Sequence, residues 1–227
     1  KFNWFIFFFI YIIFFSCENK IYQNPNIIIF LTDDQGWGDL SLHGNSNIRT
    51  PNLDQIANNG VRFNRFYVSP VCSPTRAELL TGKFFFRSGV NGVTKGYERM
   101  NLDHQLVSNF FKNKSYRTGL FGKWHNGSQP PYHPNNRGFE EFYGFTSGHW
   151  GNYFDPIMEK NGQLTRGEGY ITDDITNKSI RFIENSNSPF FALISYNTPH
   201  SPMQVPNSFF EKIPQWNGTE NISNEKN

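Results

Sequence analysis

The order of apolar runs along the chain predicts an α/β fold with a largely parallel central sheet. Two runs, residues 26–31 (NIIIFL) and 189–196 (PFFALISY), are continuously apolar over strand length, the pattern of strands buried on both faces. Between them, segments with helical start and stop signals alternate with shorter strand-like ones.

Each element has a local reason. Residues 51–59 (PNLDQIANN) read as a helix, with Pro51 at its start and Gly60 as its stop. Residues 61–68 alternate loosely, like a strand. Residues 74–80 read as a short helix entered at Pro74 and ended by Gly82. Residues 102–112 read as a helix with Leu102, Leu106 and Phe110 on one face. Residues 118–122 form a short strand. Residues 172–184 form a helix opened by Thr172, with Asp173 and Asp174 in its first turn. Residues 125–170, rich in Gly, Pro, Asn and aromatics, read as long loops over the sheet.

The chain has 227 residues, 18% charged and 37% hydrophobic, with a formal net charge of +2. This length supports a sizeable core. The balance excludes a disordered polyelectrolyte and gives no electrostatic case for nucleic acid. The two cysteines, Cys17 and Cys72, exclude a disulfide framework and a cysteine-cluster zinc site. The 25 phenylalanines accompany frequent Asn, Ile and Lys, residues with AT-rich codons, so the bias reads as genomic rather than functional.

Residues 4–15 are an unbroken apolar run preceded by Lys1. The run is short for a membrane span, which takes ~20 residues, and fits the apolar core of a signal peptide. Ser16-Cys17 directly after it resembles a bacterial lipobox. That implies cleavage before Cys17, a lipid on its sulfur, and an exported protein of the periplasm or outer membrane. An ordinary signal peptide with an incidental Cys17, or an uncleaved anchor, is the alternative. The chain thus divides into a signal peptide (1–16), a tether (17–25) and a folded region from residue 26 to residue 227.

Ligands in open α/β sheets bind beyond the carboxyl ends of the strands. After the first strand come Asp33 and Asp34; after residues 118–122 come Lys123 and His125; after residues 189–196 comes His200. Adjacent carboxylates there suit a hard cation such as Ca²⁺ or Mg²⁺, although an Asp pair also serves as a turn or helix cap. Cys72 precedes Pro74 at a helix start, and Arg76 lies one turn further on the same side. A cysteine derivative, a guanidinium and a helix N-terminus make an anion pocket. A lone cysteine can equally be a small buried apolar residue. His43, His104, His133 and His149 carry no assignment.

Cys72-Ser73-Pro74-Thr75-Arg76, followed by Leu80-Thr81-Gly82, resembles the signature of the type I sulfatases. NIIIFLTDDQGWG (26–38), TPNL (50–53), GVRF (60–63), GKWH (122–125), RGFEEFYGF (137–145) and TPHSP (198–202) are similar to sulfatase segments in family order. The resemblance implies an alkaline-phosphatase-like sandwich, with the sheet between helices. It implies that Cys72 becomes formylglycine, made by a formylglycine-generating enzyme or maturase, whose hydrate is the nucleophile. Asp33, Asp34 and the Cys72 derivative would be metal ligands, for Ca²⁺ in preference to Mg²⁺. Arg76 would fix the hydrate, Lys123 and His200 would bind sulfate, and His125 would be the base that completes turnover. The substrate would be a sulfated glycan or an aryl sulfate.

Two departures stand out. Asn126 replaces the family leucine in GKWHNG. A second metal-ligand pair, Asp then Asn, and a C-terminal domain have no counterpart after His200. Residues 26–227 therefore read as the N-terminal part of a catalytic domain, incomplete at the C-terminus. A phosphodiesterase or phosphonate hydrolase with the same modified cysteine, and an inactive scaffold acting as a binding lipoprotein, are the competing readings.

Overall fold

The computed structural model describes residues 24–211. The segments expected to be a signal peptide and a tether, with Cys17, lie outside the described residues but for residues 24 and 25, as do residues 212–227. In chain order the elements are β1 (Ile27–Asp33), α1 (Pro51–Asn59), α2 (Cys72–Thr81), α3 (Phe85–Ser88), α4 (Val107–Asn113), β2 (Arg117–Lys123), β3 (Glu141–Phe145), β4 (Ile157–Lys160), β5 (Gln163–Arg166), α5 (Ile171–Glu184), β6 (Phe190–Pro199) and α6 (Asn207–Phe210).

The six strands form one sheet in the order β1-β6-β2-β3-β4-β5. β1, β6, β2 and β3 are parallel, and β4 and β5 add an antiparallel edge. The α/β expectation holds, with helices on both faces. Alternation along β2 and β6 divides the core. Leu120, Phe191 and Leu193 pack with Ala77 and Leu80 of α2 and with Leu106 at the start of α4. Phe121, Ala192 and Ile194 pack with Ile171, Ile175 and Phe182 of α5. Burial on both sides is why β6 needs a continuous apolar run. No helix among the described residues is long and apolar enough to cross a membrane.

Four sequence expectations change. β1 is an edge strand buried on one face: Ile27, Ile29 and Leu31 pack inward, whereas Ile28 and Phe30 are exposed at 41% and 58% because α5 packs on β6, β2 and β3. Residues 61–68 form no strand: no described strand pairs with them, and Val61 and Phe63 face solvent. The helix expected from residue 102 begins at Val107, and Leu102 is exposed. Arg137 Nη2 donates to the carbonyls of Asn101 and His104 at 3.0 and 3.3 Å, claiming acceptors that a helix would use. Residues 125–170 contain β3, β4 and β5 as well as loops. The β4–β5 hairpin turns on Asn161 and Gly162, both at positive φ (50° and 87°), a two-residue Asn-Gly turn.

Candidate active site

The sheet order makes β1, β6 and β2 neighbours, so their carboxyl ends share one edge. α2 brings a fourth segment to it. Its first residue is Cys72, preceded by Val71 in extended conformation, and Gly82 closes it in the left-handed region, donating its N–H to Glu78 O at 2.8 Å. The helix starts two residues earlier than the Pro74 signal indicates, so Cys72 lies within its first turn rather than just before it.

Five of the expected residues lie together, in two neighbouring bonded groups. Asp33, last in β1, is 3% exposed. Lys123 Nζ donates to Asp33 Oδ2 at 2.5 Å, and Arg76 Nη2 lies 3.4 Å from Asp33 Oδ1. Arg76 Nη1 donates to the Lys123 carbonyl at 3.0 Å and also to Ser195 Oγ. Ser195 Oγ donates in turn to the same carbonyl at 2.7 Å. Cys72 Sγ and His125 Nδ1 are 3.2 Å apart.

The electrostatics follow from burial. Removing Arg76 from water pulls its pKa below the ordinary arginine value, and the Asp33 carboxylate opposes that shift. Burial also pushes His125 down to about 4, and nearby Lys123 and Arg76 push the same way. His125 is therefore neutral at pH 7. Its Nε2 faces the Val93 carbonyl at 2.8 Å and must donate to it, because that oxygen has no proton to give. Nδ1 is then the bare nitrogen, and it accepts from the group at position 72.

Backbone room is built in. Gly122 has φ 108°, and a Cβ there would stand 2.0 Å from the Ser195 carbonyl oxygen across the β2–β6 pair. A Cβ on Gly148 would come 2.2 Å from His125 Nε2, so the loop after β3 lies against the imidazole.

Asp34 and His200 form a second group at the rim. Asp34 is exposed with φ 62°. His200 Nε2 lies 3.6 Å from Asp34 Oδ2, and Tyr153 Oη fixes the His200 carbonyl at 2.6 Å. A cavity of about 410 Å³ opens beside Asp33, Asp34, Cys72, Thr75 and Arg76.

Ser195 and Gly148 escape the sequence reading, and Asn126 enters it only as a departure from the family pattern, with no role. Asn126 Nδ2 donates to Ser73 Oγ at 2.9 Å and to the Glu98 carbonyl at 3.2 Å, pinning the first turn of α2. Its position next to His125, as a polar residue in place of an apolar one, is the signal that points to it.

Asp33 and Asp34 suit Ca²⁺ in kind, as carboxylate oxygens, but not in number. Calcium takes six to eight oxygens, and no group of three or more His, Cys, Asp or Glu converges among the described residues. Asp33 is also already engaged by Lys123 and Arg76. The described residues do not complete a calcium site.

Residues 25–225 match the family model described as Sulfatase. The chain belongs to the sulfatase family. It is 38% identical over 192 residues to N-acetylglucosamine-6-O-sulfatase of Bacteroides thetaiotaomicron, covering 82% of this chain and 33% of that enzyme. It is 33% identical over 220 residues to N-acetylgalactosamine-6-sulfatase of Mus musculus, covering 82% and 42%. The crystal structure of Ps i-CgsB in complex with k-i-k-neocarrahexaose matches with TM-score 0.78 and 31% identity, over 88% of this chain and 50% of that one. BT4656 in complex with its substrate D-glucosamine-2-N,6-O-disulfate matches with TM-score 0.69 and 36% identity, over 79% and 35%. The sulfatase chain described here thus spans a third to half of the length of these relatives. Its mostly parallel sheet between helices is the architecture it shares with the solved structures.

Proposed function

We propose that this chain carries the nucleophile and the sulfate-binding groups of an enzyme that hydrolyses sulfate esters of glycans. The supporting observation is the pair formed by Cys72 Sγ and the bare Nδ1 of His125, 3.2 Å apart, beside two buried cations. The relatives' activities on 6-sulfated N-acetylglucosamine and N-acetylgalactosamine make 6-O-sulfated amino sugars the first substrates to assay.

As the family resemblance implies, a formylglycine at position 72 would supply a hydrated aldehyde oxygen as nucleophile, and a calcium ion held by Asp33 and Asp34, with further ligands from outside the described residues, would supply Lewis acidity beside it. The remaining chemistry belongs to this chain. His125, neutral and anchored through Nε2, takes the proton from a hydroxyl at position 72. Arg76 and Lys123 hold positive charge where sulfuryl oxygens gain negative charge, and their burial strengthens the effect. Ser195 fixes Arg76 relative to Lys123. His200 is assigned the proton for the leaving oxygen. An unmodified thiol has no second hydroxyl to release, so a maturase is a required partner in this reading.

The test uses the full-length protein that contains this chain. Cys72→Ala should abolish sulfate release from N-acetylglucosamine 6-sulfate, and the mass of the peptide spanning position 72 should match an aldehyde rather than a thiol. Turnover retained by Cys72→Ala would overturn the reading.

The proposal extends to export as a lipoprotein anchored at Cys17. Metabolic labelling with an alkyne fatty acid should mark the parent protein and not Cys17→Ala. Equal labelling of both would remove the anchor.

A further inference from the structure

The sheet edge opposite the catalytic cluster carries a groove of about 400 Å³. Arg117 and Glu141, the first residues of β2 and β3, line it, whereas Lys123 ends β2 in the cluster. Six strand steps separate Arg117 from Lys123, about 20 Å. The groove is therefore separate from the site described above.

Its walls are cationic. Arg117, Lys160, Arg166, Lys178 and Arg181 line it, against the carboxylates Glu141 and Glu168. Those carboxylates orient two of the cations. Arg117 Nη2 pairs with Glu141 at 2.8 Å, and its guanidinium lies 4.2 Å from the Phe182 ring centroid. Lys178 Nζ pairs with Glu168 at 3.1 Å and lies 3.6 Å from the buried Asp174. Lys160, Arg166 and Arg181 are exposed and have no ion pair among the described residues. Lys160 and Arg166 sit at opposite ends of the hairpin, with Arg166 paired to Ile157, so they are about 10 Å apart along the strands. Arg166 shares one pleat face with Ile157 and Lys160 lies on the other, so the unpaired charge is spread around the groove instead of converging on one point. That suits a chain with repeated anions better than a single phosphate.

We propose that this groove is a non-catalytic binding site for sulfated polysaccharide. The proposal rests on the sulfatase reading for its ligand class and adds a place that holds the polymer away from the bond being cleaved. The aromatic residues of the groove, Tyr143 and Phe182, are buried and offer no face for base stacking, which argues against single-stranded nucleic acid.

The test is affinity electrophoresis of the full-length protein through gels containing chondroitin 6-sulfate, hyaluronan or duplex DNA. Cys72→Ala is the background, so that the polymer is not consumed. Chondroitin 6-sulfate should retard the protein, and added salt should weaken the effect. Lys160→Ala/Arg166→Ala/Arg181→Ala should weaken retardation by about tenfold, three exposed charge contacts being lost together. The charge-keeping variant Lys160→Arg/Arg166→Lys/Arg181→Lys should retain it. No retardation, an unaffected triple variant, or equal retardation by DNA or hyaluronan would overturn the proposal. With Cys72 intact, the triple alanine variant should turn over a small sulfate ester at the parent rate. Failure of both proteins on that ester would count against the catalytic reading alone, because the binding result is read separately.

Discussion

Cys72 Sγ and His125 Nδ1 stand 3.2 Å apart across 53 residues of sequence, and the opposite ring nitrogen, Nε2, is held by the Val93 carbonyl at 2.8 Å. One nitrogen is thereby committed as donor and the other left as acceptor. In the full-length enzyme His125→Ala should lower kcat by about 10²–10⁴-fold, the range for a lost general base. KM should change little, because His125 is buried at 4% exposure and does not line the cavity. Steady-state kinetics decide it: a raised KM with kcat intact would make His125 a binding group.

Gly148 reaches the same imidazole from the loop after β3. Its added Cβ would meet His125 Nε2 at 2.2 Å, so Gly148→Ala must move either the ring or the loop. Moving the ring breaks the bond to Val93 that sets the tautomer. Overpacking of this kind costs about 1–3 kcal/mol, and kcat should fall with it. Thermal melting and kinetics check both parts. A variant with unchanged melting and unchanged kcat would show that the loop yields freely.

Ser195 joins the two buried cations. Its hydroxyl accepts from Arg76 Nη1 and donates to the Lys123 carbonyl, and Arg76 Nε already lacks a partner. Ser195→Ala removes a buried bridge and should destabilise the fold by about 1–3 kcal/mol. Denaturant unfolding measures this. Turnover should drop further than the stability loss explains, because Arg76 loses its lateral restraint. Ser195→Thr keeps the hydroxyl and should retain more of the activity than Ser195→Ala does. Equal activity of all three proteins would leave Ser195 as a core residue only.

The elements that gathered the site were legible because strand-end placement is a sequence property. Once residues 26–31, 118–122 and 189–196 read as parallel strands, Asp33, Lys123 and His200 had to face one edge. Adjacency was a separate matter, supplied by β6 inserting between β1 and β2. The missed features depend on contacts distant in sequence. Ser195 looks like one more small residue in PFFALISY, and its role exists only because Arg76 and the Lys123 carbonyl, distant in sequence, meet its hydroxyl. Val93 acts through a backbone carbonyl, which leaves no trace in side-chain identity. The Asn161-Gly162 turn was readable, but the strands beside it, Ile157–Lys160 and Gln163–Arg166, are too short and mixed for alternation to stand out. Leu102 kept helical spacing while Arg137, 35 residues on, took the local carbonyls.

The segment after Asp34 is pinned by a carboxylate, and this sets a pH dependence. Asp54 of α1 accepts from Ser41 Oγ at 2.7 Å, from Thr50 Oγ1 at 3.0 Å and from the Leu42 N–H at 3.2 Å. The Ser41 hydroxyl is the main reason its pKa falls below the ordinary carboxylate value, with Thr50 and Leu42 adding to it. The folded state then binds fewer protons than the unfolded one between the two pKa values. The contribution is fully present above the unfolded value, ~3.9, and is lost as pH falls through the lower folded value. Asp54→Asn should therefore be less stable than the parent by a constant margin from neutral pH down to the ordinary carboxylate range, with the gap closing only below it. Melting temperatures of the two proteins across that range test this. A gap that closes well above the carboxylate range, or persists unchanged in strong acid, would show that the charge of Asp54 is not what holds Ser41–His43 against α1.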